Sequence, residues 1–231
     1  MPKLIEIIGS PGSGKSFICS KLEELKKKDS QIFFHSSNFS FYNKYNHINL
    51  FLKFFIRIKV IFKIFFFYLI FYKRIFLRKI YKRNFFFRVI FLFYEHLLYL
   101  EILRKTLPND KYLIIEPGPI MYFIQDYFYI DEEISNHEIK IFNKLFFKTD
   151  YIINLNCNFE ILLNRLKKRK RGLPSRMREL SDSQIETTII KTIKTINHYI
   201  KKSNNLNTVI INIDSSKNFE TIKEKFLKVI E

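Results

Sequence analysis

The sequence predicts an α/β protein: a parallel sheet of about five strands with helices on both faces, in three layers. Three observations carry this. Short runs rich in Ile, Leu and Val (KLIEII, YLII, YIINL, TVIINI) alternate with longer segments of helical spacing. Polar turns flank those runs, which suits buried parallel strands better than an antiparallel sheet. A glycine-rich stretch, Gly9–Ser16, follows the first run and opens a helix. In such a fold the ligand belongs at the carboxyl ends of the strands.

Taken in order, Lys3–Ile8 is a buried strand ending at a glycine. Lys15–Lys28 reads as a helix with Phe17, Ile18, Leu22 and Leu25 on its apolar face and a basic last turn. Gln31–Phe34 is a second strand. From Phe51 to about Lys105 no Gly or Pro interrupts the chain, and two or more long helices are expected. Pro108-Asn109-Asp110 marks a turn before the third strand, Tyr112–Ile115. Ile120–Phe147 is mostly helical in pattern. Tyr151–Leu155 is the fourth strand, followed by helices at Phe159–Lys170 and Thr187–Lys202. Thr208–Ile213 is the fifth strand and Phe219–Ile230 a closing helix. Neither repeat nor linker is evident, so residues 1–231 are expected to form one domain, with an acceptor region over about 41–106 and a lid over about 165–180.

The chain has 231 residues, 47% apolar and 27% charged, a globular balance. Its two cysteines, Cys19 and Cys157, have no metal or redox spacing and read as small core residues of a reducing compartment. Residues 1–8 run straight into the glycine-rich stretch with no secretory pattern, and a cytoplasmic protein is expected. The net charge of +18 is unevenly placed: Ser30 to Tyr94 holds 12 Lys and Arg, no Asp or Glu, and 18 of the 27 Phe.

Gly9-Ser10-Pro11-Gly12-Ser13-Gly14-Lys15-Ser16 is a phosphate-binding loop (Walker A). Its backbone N–H groups must point inward around phosphate oxygens, which needs residues without a Cβ. Three of the chain's five glycines fall here. Lys15 supplies a charge for the β- and γ-phosphates, and the Ser16 hydroxyl can ligate Mg²⁺. The loop implies ATP or GTP. No guanine-reading Asn-Lys-x-Asp is present, so ATP is expected.

After the fourth strand comes FEILLNRLKKRKRGLPSRMREL. Arg165 and Arg169 share a helix face, while Arg171, Arg176 and Arg178 surround the Gly172 and Pro174 turn. Guanidinium groups on a mobile connection suit a transferring phosphoryl group. This segment resembles the lid of the P-loop nucleoside and nucleotide kinases, thymidylate kinase in particular, at Arg165, Arg169 and Arg176. The closing strand, Asp-Ser turn and helix are similar to that group too, which implies that Asp214 and Ser215 lie near the nucleotide base. The resemblance covers roughly residues 3–28 and 151–231. Lys167, Lys168 and Lys170 read as solvated.

Kinases of this group end the third strand with an Asp, often followed by Arg. Here the chain reads Ile115-Glu116-Pro117-Gly118-Pro119. Glu116 can hold Mg²⁺ through water or take the acceptor's proton; capping a turn is the plainer alternative. The Arg has no match, which tells against a simple nucleotide-monophosphate kinase. Asp110 and Asp150 precede strands, at the end away from the ligand.

In the middle segment, Lys53 with Arg57, Lys59 with Lys63, and Arg74 with Arg78 and Lys82 form basic stripes at i, i+4 on helices whose other faces are Phe, Ile and Leu. The longest uncharged run, Ile64–Tyr72, is too short to span a bilayer. Acceptor-domain helices or an interfacial helix on anionic lipid both fit; nucleic acid is not expected, and a homodimer stays open. His35, His47, His96, His137 and His198 lack ligand spacing. The sequence therefore predicts ATP- and Mg²⁺-dependent phosphoryl transfer to a small-molecule acceptor. The alternatives are a membrane-peripheral or regulatory NTPase, and a kinase of a sugar, lipid-linked or polynucleotide acceptor.

Overall fold

The structure, a computed structural model, describes residues 2–26, 32–36, 50–70, 83–125, 133–146, 149–169, 172–174, 177–203 and 208–230. Its strands are β1 (Lys3–Gly9), β2 (Ile32–Ser36), β3 (Tyr112–Glu116), β4 (Tyr151–Asn156) and β5 (Val209–Asp214). They form one parallel sheet in the order β2-β3-β1-β4-β5. β1 is central, with Ile5 opposite Ile114 on one side and Tyr151 on the other. Strands are added outward in opposite directions from β1, so the segment leaving its carboxyl end enters the crevice where such sheets bind ligands.

Side chains alternate across the sheet and bury on both faces. On one face Leu4, Ile8, Leu113, Ile115 and Ile152 pack under helices α2 (Leu50–Ile70), α3 (Arg83–Thr106), α4 (Pro119–Gln125), α5 (Asn136–Leu145) and α7 (Asp182–Ser203). On the other, Ile5, Ile7, Ile114, Ile153, Leu155 and Ile213 pack under α1 (Lys15–Lys26) and α8 (Phe219–Ile230). A third cluster, Leu162, Leu166, Met177, Ile185 and Ile189, joins α6 (Phe159–Lys167) to the start of α7. Asp150 ties the amino end of the sheet: its carboxylate accepts from the Leu4 N–H at 2.8 Å. It lies far from the phosphate loop, as its place before β4 implies.

Several boundaries differ from the sequence reading, each for a local reason. α7 starts at Asp182, not Thr187, because Ser181 and Gln184 cap it reciprocally. The Ser181 N–H donates to Gln184 Oε1 at 2.9 Å and the Gln184 N–H to Ser181 Oγ at 3.4 Å. The helical stretch expected over Ile120–Phe147 contains two helices among its described residues. The second is started by a capping box between Ser135 and Glu138. α6 stops at Lys167, so Arg169 lies in the turn beyond the helix rather than on a shared face with Arg165.

In the middle segment α2 divides its apolar residues between two faces. α2 buries Ile56, Val60, Ile64 and Phe67, and the Phe67 ring meets Phe93, Phe123, Phe142 and Phe146 with centroids 5.2–6.3 Å away. Its remaining phenylalanines face outward. Lys59 and Lys63 do not form a free stripe, because both reach the buried carboxylate of Glu101 on α3, Lys63 at 2.8 Å and Lys59 at 3.2 Å. Arg74, Arg78 and Lys82 lie outside the described residues, as do residues 41–49 of the acceptor region.

Candidate active site

The chain leaves β1 at Gly9 and turns through Ser10–Gly14 into α1. The turn is closed by the Ser13 N–H bonding Ser10 O at 3.1 Å. Gly12 and Gly14 hold φ of 86° and 85°, in the left-handed region that side chains disfavour, and a Cβ on Gly12 would lie 2.8 Å from Leu162 O. The first N–H groups of a helix lack intrahelical carbonyl partners, and here they belong to Lys15, Ser16 and Phe17, which line the concavity. Ser13 Oγ is buried within the loop and meets no partner among the described residues, as expected of a cradle that completes its bonding on an anion.

Lys15 extends back over the loop and donates to Gly9 O at 2.7 Å and Ser10 O at 3.0 Å. Burial pushes its ammonium below the usual range, while the nearby Glu116 carboxylate pulls it back up. Glu116 responds in mirror image. Burial raises its carboxyl above the ordinary range, and Lys15 and then Arg169 oppose that rise. The carboxylate at the end of β3 and the cations of the loop and lid therefore share one electrostatic environment.

These groups line a cleft of about 560 Å³, together with Ser16, Phe17, Arg165, Pro174, Ser215, Lys217 and Phe219. Arg165 is fixed by its surroundings. Its Nη2 donates to Ser215 O at 2.9 Å and its Nη1 to Cys157 Sγ at 3.8 Å. Of the residues expected at the site, the structure brings Pro11–Ser16, Glu116, Arg165, Arg169 and Ser215 to this cleft. Gly9 and Ser10 serve it by holding Lys15. Asp214 is not among its lining residues: the carboxylate accepts from Ser216 N at 2.9 Å and Ser216 Oγ at 2.6 Å, which also holds its carboxyl below the ordinary range. Arg171 and Arg176 lie outside the described residues. Arg178 caps Leu173 O at 3.1 Å, away from the cleft.

Sequence reasoning missed two features. Phe17, taken for the apolar face of α1, is 57% exposed and meets Phe219 edge-on at 6.4 Å, forming an aromatic wall of the cleft. Glu6, fully buried in β1, accepts from the Ile120 N–H at 3.2 Å and the Met121 N–H at 2.9 Å. Burial pushes its carboxyl up to about 8, against those two hydrogen bonds. A Cβ on Gly118 would overlap the Glu6 carboxylate, so Glu6 and Gly118 together set the turn that follows Glu116. The signal was the single acid inside KLIEII. Among the described residues, no cluster of three or more His, Cys, Asp or Glu forms a metal cage.

No protein-family model matches the chain. No curated protein matches it either. Solved structures do: deoxyadenosine kinase from M. mycoides with bound dATP superposes with a TM-score of 0.54 at 18% identity, covering 99% of this chain and 100% of that one. Deoxyadenosine kinase from M. mycoides with bound dCTP gives 0.48 at 17% identity, covering 99% and 98%. The first of these is a deoxyadenosine kinase and not a thymidylate kinase, so the likeness does not carry the narrower resemblance drawn from the lid. At 18% identity the likeness shows the fold alone: the chain shares the fold of that deoxyadenosine kinase.

Proposed function

We propose that this protein is an ATP- and Mg²⁺-dependent kinase that transfers a phosphoryl group to a hydroxyl of a small-molecule acceptor, with nucleosides the first class to test. One observation carries the reading: Glu116, Lys15, Arg165 and Arg169 meet the phosphate loop in a single cleft at the carboxyl edge of the sheet. A switch NTPase has no need of two lid arginines opposite a carboxylate. The deoxyadenosine kinase fold supports the nucleoside acceptor, and Pro117, where nucleotide-monophosphate kinases often carry Arg, tells against a nucleoside monophosphate.

The loop N–H groups and Lys15 would bind the β- and γ-phosphates, and the Phe17–Phe219 wall offers the base an apolar surface. Ser16 and Glu116 supply the hydroxyl and carboxylate that would hold Mg²⁺, which uses few protein ligands beside phosphate oxygens. When bound, that ion would neutralise charge on the transferring group. Arg165 and Arg169 stabilise charge that develops during transfer. Glu116, with its carboxyl raised by burial, orients the acceptor hydroxyl or takes its proton.

The test is purified protein with labelled ATP against pooled nucleosides, nucleotides, sugars and lipid extracts. Transfer should depend on one pool, and Glu116→Gln should abolish it while leaving ATP binding intact. ATP hydrolysis at one rate in every pool would overturn the kinase reading in favour of an NTPase.

A further inference from the structure

α2 presents to solvent a face that a soluble acceptor helix has no reason to carry. Phe51, Phe54, Phe55, Phe62, Phe65 and Phe66 are 48–72% exposed. At about 100° per residue they share an outer arc of about 120°, opposite the buried Ile56, Val60, Ile64 and Phe67. With a phenylalanine presenting about 200 Å², the stripe exposes roughly 700 Å² of ring. The largest apolar patch on an ordinary monomer is about 300–600 Å². Arg57 falls beyond one edge of the arc and Lys59 beyond the other, and α2 contains no acid. The rim is thus cationic while the centre is aromatic.

We propose that this face docks the protein onto an anionic lipid surface, with the rings in the headgroup boundary and the rim cations on lipid phosphates or carboxylates. Charge complementarity chooses this occupant. A second copy on the same face would bring Arg57 and Lys59 onto like charges, with no carboxylate on α2 to meet them. Glu101 on α3 is already shared by Lys59 and Lys63. A nucleic-acid duplex, its bases already stacked on one another, would match the cations but leave the phenylalanines in water; a single strand is the case that the oligonucleotide below tests. The helix lies in the interface rather than crossing it, because it carries Lys53, Arg57, Lys59 and Lys63, and no described helix is long and apolar enough to span a membrane. Between Ser30 and Tyr94 the chain has 12 cations and no acid, which would favour the same surface.

Flotation decides it. Full-length protein is mixed with vesicles of phosphatidylcholine alone, or of phosphatidylcholine with about 30% phosphatidylserine. The variants are Phe54→Ser/Phe62→Ser/Phe65→Ser and Arg57→Gln, exposed positions outside the cleft. Circular dichroism and nucleotide binding verify the fold, and light scattering gives the mass. Wild type should float with the anionic vesicles only, the triple variant should lose about tenfold or more, and Arg57→Gln less, with added salt weakening wild-type binding. Wild type failing to float on anionic vesicles would overturn the proposal. So would a triple variant that floats as well as wild type, or a wild-type dimer that the triple variant dissolves while neither binds lipid. Release of wild type from lipid into a nucleic-acid complex by a short oligonucleotide would overturn it as well.

Discussion

Replacing Glu6 by Gln removes a titratable group from the middle of the sheet while keeping its shape. The folded carboxyl sits at about 8 against an ordinary 4.5. Between those values the native chain holds a proton that the unfolded chain has released. The folded state is therefore favoured below about pH 4.5 and loses that advantage as pH rises through 8. The slope is roughly 1.4 kcal/mol per pH unit, or about 3 kcal/mol from pH 5.5 to 7.5. All other groups titrate equally in wild type and Glu6→Gln, so the difference between the two isolates Glu6. Gln also sets an amide N–H₂ against one of two backbone donors, which costs about 1 kcal/mol at every pH. Urea unfolding of both proteins across that range is the assay. Wild-type stability should fall relative to the variant by about 3 kcal/mol. A constant difference would refute the argument, placing the Glu6 carboxyl near its ordinary range in the folded protein.

Further outcomes follow from the cleft and its supporting turn. Lys15→Ala should lower nucleotide turnover by about three orders of magnitude with little change in unfolding temperature, since the side chain serves the ligand; turnover kinetics beside a thermal melt check both halves. Arg165→Ala and Arg169→Ala should each lower kcat more than they raise KM for ATP, because the charge they meet grows during transfer. Steady-state kinetics separate the two constants. Gly118→Ala should destabilise by about 1–3 kcal/mol through overlap with the Glu6 carboxylate. Combining it with Glu6→Ala should cost less than the two single changes together, as a double-mutant cycle by denaturation would measure.

The glycine-rich loop was legible because three of the chain's five glycines fall within six residues between a strand and a helix. β1, β3 and β4 were legible because burial on both faces writes them as continuous apolar runs. What the sequence hid depends on partners far away in the chain. KLIEII does not show that Glu6 meets Ile120 and Met121, since that contact joins β1 to the turn after β3. The outward phenylalanines of α2 follow the same rule. Helical periodicity locates two apolar arcs on that helix but cannot say which is buried, and the packing of Phe67 among four other rings decides it. Asp214 is absent from the cleft lining for a local reason: Ser216 offers it two donors within two residues. Arg165 and Arg169 reach one cleft even though α6 ends between them, so they meet there by a geometry other than the i, i+4 helix face that the spacing suggests.

Arg165 also gives the protein a native reporter. Its guanidinium touches Cys157, a half-buried thiol just past β4, while the chain's other cysteine, Cys19, is on the buried face of α1. A thiol-directed fluorophore under mild conditions will therefore label one position, without engineering, at the rim of the cleft and in contact with its principal arginine. A ligand that moved Arg165 would change the surroundings of that sulfur, and with them its alkylation rate and the emission of the attached dye. Occupancy of the cleft would then be read optically, with no knowledge of the reaction.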